Sequence, residues 1–321
     1  MSRTYKATGI NLKSMPMGEA DRLLTILTRE FGLVRAVAMG SRKHNSSMAG
    51  RSGLFVVNNL LIAKGRSLDK VAQAETLESY PGLSQDLKKL TASQYLAELC
   101  LYQALSDQPQ EELFCLLGEH LKRLERSATE SILPHLTHAI FQLLVLAGIA
   151  PQVYVCCVTR QSLTPDFTDP SWRIGFSIPA GGTVTLEALA RLRVGKPKPV
   201  RKTASDPLQA TFYAADQAIG LHQNQSKVAE GGAKSSDPMV MTERTIYQTP
   251  SILHIQLTAS ELALLQQLAH ADLPQSVQAA TAWHSVERAL RHYAQYHFDR
   301  PIRSATLVDA CFVSANHPLI P

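Results

Sequence analysis

Cysteine is scarce in this 321-residue chain, with five residues, Cys100, Cys115, Cys156, Cys157 and Cys311. The number is odd, and two of them lie inside apolar helical runs, which excludes a disulfide framework and reads as free thiols. Long apolar runs are missing as well. No segment approaches the ~18 uninterrupted apolar residues of a membrane span. The N-terminal Met-Ser-Arg-Thr-Tyr-Lys lacks the apolar core of a secretory signal. These absences predict a cytoplasmic protein with no membrane attachment.

Catalytic and cofactor motifs are lacking too. The chain has no Gly-x-x-x-x-Gly-Lys-Ser/Thr, Gly-x-Gly-x-x-Gly, His-Glu-x-x-His or Gly-x-Ser-x-Gly. His135 and His138 are spaced three apart on an apolar helix, and His292 and His297 five apart. Neither pair has a carboxylate at ligand spacing, so both read as structural. Nothing supports a catalytic residue, a bound metal or a cofactor, and a non-enzymatic protein is expected. Aromatic residues are few, and the first eighty positions hold only Tyr5, Phe31, Phe55 and Tyr80.

What is present is unevenly placed positive charge. The net charge is +5, but residues 1–80 hold 12 Lys and Arg against 6 Asp and Glu. Residues 81–180 hold 7 against 10. Charge alone leaves two readings open, a polyanion partner for the N-terminal region and a merely solvating basic face.

The pattern along the chain is β-rich, then helical. Lys6–Lys13 alternates and runs to Pro16, where a turn is expected. Arg22–Thr28 follows, then a break at Glu30-Phe31-Gly32. Leu33–Met39 places Arg35 and Val37 on one face and Val34 and Ala36 on the other. A polar, basic loop follows, Gly40-Ser-Arg-Lys-His-Asn-Ser-Ser47. The runs Leu54–Ile62 and Leu68–Thr76 are joined by Lys64-Gly65-Arg66-Ser67. Five short strands in so few residues predict a small barrel.

From Leu87 the apolar period becomes helical: Ala92, Tyr95, Leu96, Leu99 and Tyr102; Leu113, Leu117, Leu121 and Leu124; Leu133, Leu136, Ile140, Leu143 and Leu144. Gly148 is the expected stop. Residues 151–200 are irregular, and 203–250 are polar and weakly patterned, the composition of a mobile insertion. Helical pattern returns at 260–270 and 276–298, with Val286, Leu290, Tyr293 and His297 facing one way and Glu287, Arg288 and Arg291 another.

Cations at strand ends and loops suit a phosphate backbone, and the shortage of aromatics argues for binding with little base stacking or sequence preference. The candidate contacts are Arg22, Arg35, Arg42, Lys43, Arg51, Lys64 and Arg66. A secondary nucleic-acid or partner surface is expected at Arg288, Arg291, Arg300 and Arg303.

The order Gly18-Glu-Ala-Asp-Arg-Leu-Leu-Thr25, Thr28-Arg-Glu-Phe-Gly32, Arg35-Ala-Val-Ala38, Gly40 and Arg42 resembles the bacterial recombination mediator family RecO. Lys64-Gly-Arg-Ser-Leu68, Ala74-Glu-Thr-Leu-Glu-Ser79 and, more weakly, Arg291–His297 with Arg300-Pro-Ile-Arg-Ser304 extend the likeness. It covers nearly all of the chain except about 203–250.

The resemblance implies an α+β, multidomain protein. Its parts would be a five-stranded OB-fold barrel (1–80), a helical domain (81–150 and 251–321), a degenerate zinc-ribbon-like module (151–200) and a flexible polar insertion (201–250). It also implies a DNA repair and recombination protein, cytoplasmic and nucleoid-associated, that binds single- and double-stranded DNA and anneals complementary strands. With RecR it would help load RecA onto strands coated by single-strand-binding protein. An OB-fold RNA-binding module of translation or RNA processing fits the charge and the barrel equally.

Many members of that family carry two Cys-x-x-Cys pairs in the ribbon. Here Cys156 keeps the first position, while Thr159, Thr185 and Ala188 stand at the others. One thiolate does not make a tetrahedral zinc site. No zinc is expected, and packing of Trp172, Ile174 and Phe176 is expected to hold the module.

Overall fold

The computed structural model describes residues 4–194, 254–270 and 280–313. The polar insertion expected at 201–250 lies outside the described residues. Five strands open the chain: β1 (Thr4–Met17), β2 (Asp21–Thr28), β3 (Gly32–Ala38), β4 (Val57–Ala63) and β5 (Asp69–Glu78). They close into a barrel of order β1-β2-β3-β5-β4, the connectivity of an OB-fold.

β1 makes closure possible because it is long enough to serve two partners. Residues 4–10 pair with β4 and residues 9–17 pair with β2. A short parallel contact, Ala36 with Asp69 and Val37 with Lys70, completes the ring. Pro16 does not end β1 as its sequence suggests. It pairs with Arg22 in a stretch that has only β2 beside it, so its missing N–H breaks no ladder. The turn comes two residues later, at Gly18 with φ +60°. A four-residue helix, α1 (Met48–Arg51), precedes β4.

The barrel interior is filled by Ala7, Leu24, Ile26, Val34, Ala36, Ala38, Leu60, Ile62, Val71 and Ala74. Alternating alanines with larger side chains suits so narrow a barrel. Ile10, Leu12, Leu27, Leu33, Phe55 and Val57 instead join the apolar core of the helices. Gly32 marks the junction. Its φ is +63°, and a Cβ there would lie 1.9 Å from the Leu105 carbonyl oxygen, so only glycine allows this approach.

The helices are α2 (Gly82–Gln85), α3 (Leu87–Gln103), α4 (Glu111–Arg126) and α5 (Ile132–Leu146). Asp86 caps α3 by accepting from the N–H groups of Lys88 and Lys89. In α4, Glu111 and Glu112 open the helix and Arg123 and Arg126 close it, matching the macrodipole. Gly148, at φ +70°, ends α5 as its position suggested.

The irregular region holds β6 (Arg173–Ser177), β7 (Gly182–Val184) and α6 (Leu186–Val194). After the undescribed stretch come β8 (His254–Thr258), α7 (Ala259–Leu268), α8 (Ala280–Phe298) and α9 (Ala305–Val313). β8 pairs with β6, giving a sheet of order β7-β6-β8. Ile174 and Phe176 are buried in the helical core with Trp172 against it, so this sheet is anchored by the residues anticipated from sequence.

Candidate nucleic-acid interface

The pleat decides which cations lie together. Leu24 and Ile26 point into the barrel, so Thr25 points out. Thr25 pairs with Lys13 on β1 and with Arg35 on β3, which sets Lys13, Thr25 and Arg35 in one row across the outer face. Adjacent strands are about 4.8 Å apart, so the two cations are rooted about 10 Å from each other. In the next row Met15, Leu23 and Val37 are in register, and Val37 pairs with Lys70 on β5. Lys13 and Lys70 are exposed and Arg35 is half-buried.

Two loops flank this face. The 64–68 loop leads into Asp69, beside Ala36, and so runs up next to Arg35. Its Lys64 and Arg66 are exposed. Lys64 is partly committed, since its ammonium lies 3.9 Å from the Asp69 carboxylate and 5.9 Å from the Tyr5 ring centre. The 39–47 loop is tied to the β1–β2 turn. The Arg42 backbone N–H donates to the Ala20 carbonyl, its guanidinium donates to the Gly18 carbonyl at 2.7 Å, and Asp21 accepts from the Gly40 N–H. Arg42 is therefore exposed yet held in place, and Lys43 projects from the same loop.

Arg22 is half-buried at the barrel end and has opposite parity to Arg35, because it pairs with Ala38, an interior residue. Arg51 closes α1, where its carbonyl accepts from the side chains of Asn11 and Asn58. The loop following it is thereby fixed to the barrel wall.

The four aromatics of this region are spent on structure. Phe55 and Tyr80 are buried, and the Tyr5 and Phe31 rings pack edge-on at 4.8 Å. The Tyr5 hydroxyl donates to Asp69 at 2.6 Å; burial first, then that carboxylate, raises its pKa. This face offers cations around the buried side chains of Leu23 and Val37 but no open stacking platform.

The expected secondary surface divides. Arg288 and Arg303 are exposed. Arg300 is half-buried, its guanidinium 5.6 Å from the Tyr102 ring centre, and burial lowers its pKa. Arg291 requires a correction. It is buried, donating to Glu287 at 3.0 Å and to Asp309 at 2.7 and 2.9 Å. Burial alone would lower its pKa, but the Asp309 and Glu287 carboxylates outweigh it and raise the value. Glu287 is fully buried too, so this side of α8 is an interior ion pair and not a polar outer face.

Sequence reasoning passed over Lys13 and Lys70. The available signal was weak, since a register shift between Asn11 and Lys13 changes the parity of β1. Lys70 joins the face only through the parallel β3–β5 contact.

The donors for zinc do not fit. Position 159 offers a threonine hydroxyl, 185 another, and 188 an alanine methyl. The Cys156 sulfur is already occupied, accepting from the N–H groups of Thr159 and Thr185, both at 3.3 Å. Among the described residues no group of three or more His, Cys, Asp or Glu could hold a metal ion. Among the same residues, no helix is long and apolar enough to cross a membrane.

The chain matches two family models, Recombination protein O N terminal over residues 1–80 and Recombination protein O C terminal over residues 84–194. It is 52% identical over 322 residues to the DNA repair protein RecO of Nostoc sp., covering 99% of each chain. It is 53% identical to that of Acaryochloris marina over 321 residues, covering 97% of this chain and 96% of the other. The DNA repair protein RecO of Gloeobacter violaceus is 40% identical over 311 residues, covering 97% of this chain and 94% of its own. A barrel of OB connectivity at the residues of one family model, helices at those of the other, and identity along the full length lead to one assignment: the chain belongs to the RecO family.

Proposed function

We propose that this chain is a non-enzymatic, DNA-binding mediator of recombinational repair. It binds single- and double-stranded DNA and anneals complementary strands. With RecR it assists loading of RecA on strands coated by single-strand-binding protein, in the cytoplasm and on the nucleoid. Its relatives are named DNA repair proteins, which supports the setting.

The observation that carries the DNA contact is the outer face of β1, β2, β3 and β5, where Lys13, Arg35 and Lys70 project from neighbouring strands between two cation-bearing loops. Cations on a rigid pleat displace counterions from phosphates without reading bases. With its aromatics packed away, such a face tolerates any sequence. Annealing follows if two strands are neutralised on it together, because their mutual repulsion falls. Arg22 stands at the barrel end beside the face, Arg42, Lys43, Lys64 and Arg66 extend it, and Arg51 adds a cation on α1. Of the cations expected to form a second surface, Arg288 and Arg303 are the exposed ones.

The test is annealing of complementary strands coated with single-strand-binding protein, using the full chain and a variant with Arg35, Arg42 and Lys43 changed to Glu. The wild type should anneal coated strands and the variant should not. Equal annealing by both would remove the barrel from the reaction. Preference for RNA over DNA of matched length would point to an RNA-binding module instead.

A further inference from the structure

The region after α5 brings together two turns of the same form. In the first, Cys156 Sγ accepts from the N–H of Thr159 three residues on, at 3.3 Å. In the second, Thr185 Oγ1 accepts from the N–H of Ala188, also three residues on and at 3.3 Å. They are held side by side by backbone bonds. The Gln152 N–H donates to Gly181, the Thr183 N–H donates to Gln152, and the Cys157 N–H donates to Thr183, at 2.9, 2.8 and 2.9 Å. Gly182 makes the approach possible, because a Cβ there would lie 2.2 Å from the Gln152 carbonyl oxygen.

One atom reaches across the gap between the turns. Besides the N–H of its own turn, Cys156 Sγ accepts from the N–H of Thr185, which opens the other. The side chain is completely buried, while Cys157 beside it is half-exposed. The 156–159 and 185–188 turns thus meet at one sulfur, where a tetrahedral zinc site would need four ligands and these positions supply one thiolate.

We infer that the Cys156 sulfur replaces a metal as the cross-link of this module, binding the 156–159 turn to the 185–188 turn by two N–H···S hydrogen bonds, so that the module is built without zinc. The electrostatics agree with the geometry. Burial raises the Cys156 pKa, but the Thr159 hydroxyl and the N–H groups of Thr159, Thr185 and Val158 bring it down to about 7. The sulfur therefore sits in a nest of donors. An atom so placed is protected by the same turns that it joins, and its loss frees the Thr159 and Thr185 amides. The cross-link is independent of how the barrel meets nucleic acid.

The experiment combines metal analysis with amide hydrogen exchange on the full chain. Wild-type protein should contain no stoichiometric zinc, should keep its Tm when treated with EDTA, and should show slow exchange at the Thr159 and Thr185 amides in the metal-free state. Cys156→Ala should speed exchange at both amides at least tenfold, with the Ala188 amide less affected, and Cys156→Ser should fall between. One equivalent of zinc with a Tm that drops on chelation would overturn the inference. So would fast exchange at both amides in metal-free wild type, or unchanged exchange in Cys156→Ala. Should the alanine variant not fold, the wild-type measurements alone decide.

Discussion

Replacing Lys13, Arg35 and Lys70 together by Ala tests the outer face of the barrel most directly. All three project from strands of one sheet surface, Lys13 and Arg35 in register with Thr25 and Lys70 with Val37. If each neutralises one phosphate of a single strand, each adds about 0.7 to the slope of log K against log salt. Removing three should flatten that slope by about 2. Between about 50 and 200 mM salt, the wild-type advantage over the variant should shrink about eighteenfold. Fluorescence anisotropy with a labelled oligonucleotide across a salt series gives both slopes. Far-UV circular dichroism confirms that the barrel persists, as expected for outward side chains on a sheet whose core is untouched. A variant that binds more weakly at every salt concentration with an unchanged slope would refute the reasoning, because the three side chains would then touch no phosphate. Equal affinity for two unrelated sequences is part of the same expectation, since no aromatic of the barrel is open for stacking.

Two further outcomes concern the helical region. Arg291→Ala leaves the fully buried Glu287 without its partner and should cost about 3–5 kcal/mol in urea denaturation. DNA affinity of the folded protein should change less than about twofold, well under one tenfold step of about 1.4 kcal/mol; lost affinity at retained stability would return Arg291 to the binding surface. His120 is buried against Gln142 and His138, and burial first, then His138 and Arg123, lowers its pKa to about 3. The unfolded chain takes up that proton near pH 6.5, so the neutral ring's contribution is complete above about 6.5 and declines as pH falls towards about 3. Stability should drop between pH 7 and 5 by no more than about 1.4 kcal/mol per unit from this group, and His120→Gln should flatten the decline. Parallel profiles for the two proteins would show that His120 carries no such linkage.

Local pattern was enough where one residue's environment depends on its neighbours in the chain. Alternation in Leu33–Met39 put Arg35 and Val37 on one face and Val34 and Ala36 on the other, because the strand period is two whatever the partner; the barrel core then took the second pair. Helical spacing found the buried faces of α3, α4 and α5, and Gly148 marked its stop. Pro16 misled for the opposite reason: whether its missing N–H matters depends on a neighbouring strand, which the residues around it do not reveal.

The sequence by itself determined the classes of element, the excess of cations in the first eighty residues, and the family to which the chain belongs. Tertiary structure decided which cations meet. Barrel closure carried Lys70 beside β3, and the register shift turned Lys13 to the same side. Packing of α8 on α5 and α7, with Asp309 of α9 reaching the guanidinium, took Arg291 out of the surface, since an i, i+4 pair with Glu287 looks the same on a wet face as on a buried one. Convergence of two turns on one sulfur likewise needed the fold, because residues 156 and 185 are distant in the chain and the backbone bonds of Gln152 and Cys157 with Gly181 and Thr183 bring them together. Periodicity encodes which way a side chain points from its own backbone; what it meets there is set by elements far away in sequence.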